Sequence, residues 1–337
     1  MKHYSDAPLP TLILRKNDPR ACGGIKLLEK QLLVGSGKSG INLILGYLRK
    51  TGFLTNKNAQ VLVPRWMGQW VYMAVMSQAF PVIQFNQEVR AIYVYHQFGF
   101  LQDLTYIESF AEDKGIQIIE DSAHLLKIEG TSNIIRFAES YALSSPPKFI
   151  SMPPLGIIES PNEEFLDYVT LIQKEESKFK PYSVAVRQGY INLRSKISNS
   201  NLANLEEMNY KLYSSYLFTH KTTQIAKNSL QNLSSEFIGR QSRMQHVYSK
   251  FSQSRLPIIS TEQQKVAVFK IPIFISDAEI DLLAARENWA LRYLISFDRN
   301  QNLLKPDFKK AIAIPIHAQV SDIEFETAIS RIAKVLN

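Results

Sequence analysis

The sequence is poor in cysteine and in long apolar runs, and each shortage excludes a class of protein. It has one cysteine, Cys22, among 337 residues, which excludes an internal disulfide and a cysteine-rich metal site. No apolar run approaches the roughly 20 residues needed to cross a bilayer. Residues 1–6 lack the apolar core of a signal peptide. We therefore expect a cytoplasmic protein without membrane association.

The charge balance is basic, with a formal net charge of +8. The lysines and arginines are dispersed and form no dense cluster interleaved with aromatic residues, so we expect no nucleic-acid partner. A solvated basic surface explains such a balance. Attraction to a phosphorylated cofactor and an anionic substrate is the alternative explanation.

Strand-like and helix-like stretches alternate over the first 150 residues. Short apolar runs at 61–63, 91–95 and 116–119 predict buried strands, and 40–50 and 101–112 predict helices. Near-continuous apolar strands separated by helices are typical of a mostly parallel sheet covered on both faces. Ligands of such sheets bind beyond the carboxyl ends of the strands.

The second half has a different pattern. Residues 161–252 are mostly helical in pattern, and 266–275 predict a strand that Pro272 confines to a sheet edge or a break. Capping boxes at Ser276–Glu279 and Ser321–Glu324 predict two helix starts. The second of these helices places four apolar residues on one face, namely Phe325, Ile329, Ile332 and Leu336. We predict an N-terminal segment 1–30, a large domain 31–235 and a small α+β domain 236–337.

Asp121, His124 and Lys148 form the most informative pattern in the chain. Asp121 and His124 follow the apolar run 116–119, and Lys148 follows Pro146 and Pro147 in a loop of small residues. A carboxylate at a strand end keeps the ring nitrogen of pyridoxal phosphate protonated, and a lysine amine forms the Schiff base. The order of acid, histidine and lysine therefore predicts a pyridoxal-phosphate site.

Each of these residues also has an ordinary interpretation. Asp121 alone is typical of the N-cap of a following helix, His124 of a buried structural histidine, and Lys148 of a surface lysine. A metal site built from His96 and Asp121 is a further alternative, but we predict no metal.

The turn 35–40 is rich in glycine and serine and precedes an amphipathic helix, a pattern typical of phosphate binding. It is not a nucleotide P-loop, because that motif requires glycine where this chain has Leu32. Trp66 and Trp70 follow the strand 61–63, where an aromatic side chain stacks on a cofactor ring or packs in the core.

Together these motifs resemble the DegT/DnrJ-type nucleotide-sugar aminotransferases, which are fold-type-I pyridoxal-phosphate enzymes. The resemblance runs from about residue 33 to the C-terminus. It is carried by the segments Ser36-Gly37-Lys38-Ser39, Val61-Leu62-Val63-Pro64, His96-Gln97-Phe98-Gly99, Ile119-Glu120-Asp121-Ser122-Ala123-His124 and Ile314-Pro315-Ile316-His317.

The resemblance implies roles for individual residues. It implies that Asp121 pairs with the cofactor's ring nitrogen, that His124 contacts its phenolic oxygen and that Lys148 binds it covalently. It also implies that His96 contacts substrate. The remaining cofactor-binding residues that it implies are Ser36, Gly37, Lys38, Trp66, Ser144 and Ser145.

The implied reaction is amino transfer from a donor such as glutamate to a keto-sugar nucleotide, within surface-polysaccharide or amino-sugar biosynthesis. A pyridoxal-phosphate enzyme with another keto or amine substrate, and a non-catalytic binding or regulatory relative, are the alternatives. The resemblance also implies a homodimer with a shared site. The family's Asn-x-Arg element is not recognisable, and Arg187, Arg194 and Lys221 are candidate replacements.

Overall fold

The computed structural model describes residues 30–55, 58–127, 140–150, 155–176, 233–286 and 294–336. Helices separate most of the strands up to residue 121, in line with the alternation predicted for the first 150 residues. Among the described residues from 117 to 159, four strands then follow one another without an α-helix between them. The strands up to residue 176 are β1 (Gln31–Val34), β2 (Gln60–Leu62), β3 (Phe80–Val82), β4 (Val89–Tyr95), β5 (Gln117–Asp121), β6 (Leu125–Lys127), β7 (Tyr141–Ser144) and β8 (Gly156–Glu159). The helices are α1 (Gly37–Lys50), α2 (Gln69–Met76), α3 (Leu104–Lys114) and α4 (Glu163–Glu176).

Seven of these strands form one sheet in the order β1-β8-β7-β5-β4-β2-β3. The run from β7 to β3 is parallel throughout, and β8 lies antiparallel between β7 and β1. Because the strands from β7 to β3 point the same way, their carboxyl ends share one edge, and Asp121 ends β5 at that edge.

Alternate residues of β4 enter two different cores. Tyr93 and Tyr95 pack in the core that contains the apolar face of α1, whereas Ile92 and Val94 pack in the core that contains α3. This alternation is the period of two expected of a strand. The sheet is thus covered on both faces, which confirms the predicted architecture.

A smaller group of elements follows from residue 233. It contains strands β9 (Val266–Val268), β10 (Lys270–Phe274), β11 (Leu294–Asp298) and β12 (Phe308–Pro315), and helices α5 (Leu233–Lys250), α6 (Asp277–Arg286) and α7 (Asp322–Leu336). An antiparallel sheet in the order β10-β12-β11 forms its centre. β9 instead pairs antiparallel with β6 and joins this unit to the first.

Both predicted capping boxes are confirmed. The Ser276 backbone N–H and hydroxyl donate to the Glu279 carboxylate at 2.6 and 2.8 Å. The Ser321 N–H and hydroxyl donate to Glu324 at 3.1 and 2.7 Å. The predicted apolar face of α7 is buried, since Phe325, Ile329 and Ile332 line the small core.

The predicted strand 266–275 is wrong as a single element. It divides at Phe269, whose backbone N–H donates to the Phe98 carbonyl at 2.7 Å instead of continuing one ladder. β9 and β10 therefore belong to different sheets. Pro272 lies in β10, an edge strand, where a missing N–H is tolerated.

The predictions on Cys22, Arg187, Arg194 and Lys221 fall outside the described residues, as does the part 177–232 of the predicted helical stretch. The domain limits at 30/31 and 235/236 stay predictions. Within the described ranges, no helix combines the length and apolar character that a membrane span requires.

Candidate functional site

Asp121 is buried at the end of β5, with 2% of its surface exposed. The Tyr93 hydroxyl on β4 donates to its Oδ2 at 2.6 Å, and the Ala123 N–H donates to its Oδ1 at 2.9 Å. Burial raises the pKa of Asp121, while these hydrogen bonds and the charges of Lys148 and His96 oppose the rise. Within the part of the chain that is described, no ion pair reaches this carboxylate. The interpretation of Asp121 as a helix N-cap is wrong, because β6 follows.

His124 lies in the turn between β5 and β6. Its Nδ1 is hydrogen-bonded to the Tyr95 hydroxyl at 2.7 Å. Its ring stacks on Phe269, with centroids 4.4 Å apart and planes 19° apart. Burial lowers the pKa of His124 well below its usual value, and the charges of Lys148, Lys270 and Arg240 lower it further. The ring is therefore neutral near pH 7.

Lys148 ends the short 3₁₀ turn Pro146–Lys148 that follows β7. Its Nζ lies 5.5 Å from the centre of the Phe269 ring. Its charge acts on the pKa values of both Asp121 and His124. The structure thus brings together the acid, the imidazole and the amine that the sequence predicts as one site.

The predicted phosphate turn lies at the start of α1. Ser36 is the N-cap, and its hydroxyl accepts the Ser39 N–H at 3.1 Å. A Cβ added to Gly37 would lie 3.8 Å from the Ser145 Cβ, so the turn and the loop after β7 are neighbours. Ser145 and the backbone amides of a helix start together form a donor set suited to a phosphate.

Lys38 and the two tryptophans lie beside this turn and beyond it. The Lys38 Nζ sits 5.3 Å from the Trp70 ring centre, so Trp70 is the tryptophan next to the turn. Trp66, the predicted cofactor contact, packs edge-on against Phe308 at 5.1 Å. Its buried indole N–H has no hydrogen-bond partner among the described residues. The roles of Lys38, Trp66 and Ser144 stay predictions.

His96 has its two ring nitrogens engaged inside the protein. Nε2 is bonded to the Glu120 carboxylate at 2.9 Å, and Nδ1 accepts the Gln102 N–H at 3.1 Å. The residue is fully buried, with 0% exposure. This geometry favours a supporting role and gives no support to the predicted substrate contact.

The second unit supplies three residues that sequence reasoning missed, namely Phe269, Lys270 and Arg240. The Lys270 Nζ lies 5.4 Å from the Phe269 ring centre. Arg240 is 1% exposed, pairs with Glu236 at 2.6 Å and donates to the Phe269 carbonyl at 2.9 Å. Burial lowers its pKa to about 10. A single lysine inside an apolar run, Lys270 between Phe269 and Ile271, was the available signal.

Gly99 explains how the two units meet so closely. Its φ is +94°, and a Cβ there would lie 2.3 Å from the His124 carbonyl oxygen and 2.8 Å from the Val268 Cα. No side chain fits at that position. The glycine of the His96-Gln97-Phe98-Gly99 segment is therefore required where the backbone of the site contacts β9.

Comparisons with known proteins agree with this arrangement. Residues 21–335 match a family model described as "Putative PLP-dependent aminotransferase". No curated protein sequence matches significantly.

Solved structures share the fold at low identity. The Helicobacter pylori aminotransferase PseC, involved in pseudoaminic acid biosynthesis, has a TM-score of 0.60 at 11% identity over 99% of both chains. The sugar aminotransferase CalS13 from Micromonospora echinospora has a TM-score of 0.59 at 10% identity, over 90% of this chain and 87% of that one. The aminotransferase TlmJ from Streptoalloteichus hindustanus has a TM-score of 0.58 at 14% identity, over 91% and 86%.

These structures confirm fold type I, the large sheet domain followed by a small α+β unit. The family match spans nearly the whole chain, and it agrees with a buried acid, a neutral imidazole and a lysine gathered at one edge of the sheet. The chain belongs to the pyridoxal-phosphate-dependent aminotransferases.

Proposed function

We propose that this aminotransferase transfers an amino group from an amino acid to a keto-sugar nucleotide, with Asp121, His124 and Lys148 as its catalytic residues. The observation that carries the assignment of residues is that Lys148 and His124 meet at one aromatic ring. The Lys148 Nζ lies 5.5 Å from the Phe269 ring centre, and the His124 ring stacks on Phe269 at 4.4 Å. The charge of Lys148 also acts on Asp121. The sugar aminotransferase CalS13 and PseC support the substrate class, because this chain shares their fold.

The buried carboxylate of Asp121 fits the cofactor. Its oxygens accept hydrogen bonds from the Tyr93 hydroxyl and the Ala123 N–H, and burial raises its pKa. A buried acid of this kind is stabilised by a cationic neighbour, and a protonated pyridine nitrogen is such a neighbour. Ser36, Gly37, Lys38 and Ser145 would hold the phosphate at the start of α1.

When bound, pyridoxal phosphate supplies an aldehyde that bonds covalently to amines and a ring that accepts their electrons. The protein's own groups do the remaining work. Asp121 keeps negative charge at the ring nitrogen, and Lys148 provides the amine at Nζ that holds the cofactor and moves the substrate proton. The Phe269 ring beside Nζ excludes water from one side of that amine.

The charges around the site favour an anionic substrate. Lys148, Lys270 and Arg240 all act electrostatically on His124, and Glu236 is paired with Arg240 at 2.6 Å. Around His124 these three cations thus outnumber the two carboxylates of Asp121 and Glu236. Such a surplus raises the local concentration of an anion, and both an amino-acid carboxylate and a nucleotide diphosphate carry the required charge.

The first experiment tests cofactor attachment. The purified holoenzyme is scanned for visible absorbance, reduced with borohydride and mapped by peptide mass spectrometry. We expect the reduced cofactor on Lys148, and Lys148→Ala to lose both the band and the label. Lys50→Ala, at the other end of α1, is the matched control and should keep both. A label on another lysine would contradict the assignment.

The second experiment tests the substrate. Amino donors are screened for loss of the visible band, and the amine-loaded protein is then offered a panel of keto-sugar nucleotides and simple keto acids. We expect glutamate to remove the band and a keto-sugar nucleotide to restore it. Restoration by keto acids alone would overturn the sugar-nucleotide assignment and leave the aminotransferase assignment intact.

We further propose a cytoplasmic homodimer that serves surface-polysaccharide or amino-sugar biosynthesis. Closed twofold dimers are the commonest soluble oligomers, which supports the assembly. Light scattering of the holoenzyme measures it. A monomer that binds cofactor and turns over would refute a site shared between subunits.

A further inference from the structure

Strand β4 presents two buried tyrosines to the catalytic acid and the catalytic histidine. Tyr93 and Tyr95 are two residues apart, so they lie on the same face of the sheet, and their exposures are 0% and 8%. In the parallel pairing of β4 with β5, Tyr95 lies opposite Asp121 and Tyr93 opposite Ile119. Neither hydroxyl has a role in the function described above.

The Tyr93 hydroxyl acts on the charge of Asp121. An ionised carboxylate only accepts hydrogen bonds, so the 2.6 Å contact with Oδ2 is a donation from Tyr93. Such a bond stabilises the ionised form, whereas burial favours the protonated form. The charged and titratable groups that face Asp121 are Tyr93, Tyr95, His96 and Lys148.

The Tyr95 hydroxyl acts on the proton position in His124. A buried hydroxyl needs an acceptor for its proton, and in the described chain its side-chain hydrogen bond is the 2.7 Å contact with His124 Nδ1. Tyr95 therefore donates and Nδ1 accepts. A neutral imidazole whose Nδ1 accepts a hydrogen bond carries its proton on Nε2. Nε2 is therefore the nitrogen of His124 that can still donate a hydrogen bond.

We propose that Tyr93 and Tyr95 are positioning residues: Tyr93 keeps Asp121 ionised, and Tyr95 holds His124 in the tautomer protonated on Nε2. The inference rests on the proposed roles of Asp121 and His124. It extends them, because it assigns the protonation state of each residue to one hydroxyl on the neighbouring strand. The two effects can be tested separately, because the Tyr93 hydroxyl is hydrogen-bonded to Asp121 and the Tyr95 hydroxyl to His124.

The test of Tyr93 is the pH dependence of cofactor affinity. Tyr93→Phe keeps the ring and removes the hydroxyl. Pyridoxal phosphate affinity is measured by equilibrium dialysis, without turnover, across the acid range. Losing a hydrogen bond to the ionised carboxylate makes binding about tenfold weaker at the acid pH values where Asp121 becomes protonated. The acid limb is the pH range below neutrality in which cofactor affinity falls. The substitution moves this limb upward by about one pH unit, because Asp121 then protonates at higher pH.

Tyr47→Phe is the matched control. Tyr47 is a buried tyrosine of the same core, but its hydroxyl contacts Asn162 and Glu164. We expect its acid limb to coincide with that of the unmodified protein. An unmoved limb in Tyr93→Phe, or an equal shift in Tyr47→Phe, would overturn the role of Tyr93. Unmodified protein that fails to bind the cofactor would instead overturn the proposed function.

The test of Tyr95 is spectroscopic. In Tyr95→Phe holoenzyme the visible band should shift, because His124 no longer has a fixed donor nitrogen, while the acid limb of cofactor binding stays in place. An unshifted band would overturn the role of Tyr95.

The double variant Tyr93→Phe/Asp121→Asn keeps the test of Tyr93 decisive if the single variant folds poorly. With Asp121 already neutral, the second substitution should move the limb no further.

Discussion

Glu120 and Asp121 are consecutive residues of β5, and the two faces of the sheet surround them differently. Glu120 is bonded to the His96 ring at 2.9 Å and to the Ser122 hydroxyl at 3.2 Å, a network closed within the protein. Asp121 has hydroxyl and amide donors, and Lys148 and His96 reach it through their charges. The comparison teaches that burial alone does not single out the carboxylate proposed to bind the cofactor, since both are at most 3% exposed. What distinguishes Asp121 is that the charge of Lys148 acts on it and also on His124, whereas Glu120 is bonded to a His96 ring whose other nitrogen is engaged by the Gln102 N–H.

The largest expected effect separates the two acids by rate. Asp121→Asn should slow the half-reaction with amino donor by about a hundredfold to a thousandfold, as expected when one electrostatic partner of developing charge is removed. Glu120→Gln should stay within a few fold of the unmodified rate. Single-turnover loss of the visible band measures both. Equal losses in the two variants would break the comparison.

A smaller effect separates the acids by stability. Glu120→Gln should lower the free energy of unfolding by about 1–3 kcal/mol, because the His96 network loses a charged acceptor at a buried site. Urea unfolding of the cofactor-free protein measures it, with Asp121→Asn as the companion variant. If Glu120→Gln is as stable as the unmodified protein, the His96 network is not structural.

The smallest effect is a pH dependence. Burial raises the pKa of Asp121 in the folded chain. The folded protein therefore holds a proton that the unfolded chain has lost, and stability falls as pH rises from about 4 through the folded pKa. Cofactor-free Asp121→Asn should lack that fall and gain stability relative to the unmodified protein at neutral pH. Thermal unfolding across this range tests it, and parallel curves would contradict it.

The lowered pKa of His124 acts in the opposite direction. The unfolded chain gains a proton at about pH 6.5, before the folded ring does, so stability is lost as pH falls below that value. Because His124 is present in both proteins, the difference between the two curves isolates Asp121.

Much of this organisation was predictable from sequence because it depends on local patterns. The apolar runs predicted β2, β4 and β5, and serine and glutamate at the right spacing predicted two helix starts. The order of Asp121, His124 and Lys148 pointed to three residues that the structure places together, and their roles stay a proposal. The hydroxyls of Tyr93 and Tyr95 were hidden, because tyrosine in an apolar run counts as a strand former. Which residues face Asp121 depends on strand register, which periodicity does not specify.

The contributions of Phe269, Lys270 and Arg240 were beyond sequence reasoning for another reason. They come from the second unit, far along the chain from Asp121. Their placement depends on the pairing of β9 with β6 and on the division of the predicted strand at Phe269. Long-range pairing of this kind has no local signal.

The ribbon of β6 and β9 also bears on the order in which the chain folds. Leu125 pairs with Val268 across the whole middle of the sequence, so a large loop must close before the ribbon forms. Contacts of such separation form slowly. We expect the parallel sheet to assemble first, with the stacking of His124 on Phe269 completed among the last steps. Recovery of cofactor binding during refolding would then lag behind recovery of secondary structure, and the cofactor would report that the chain has finished folding.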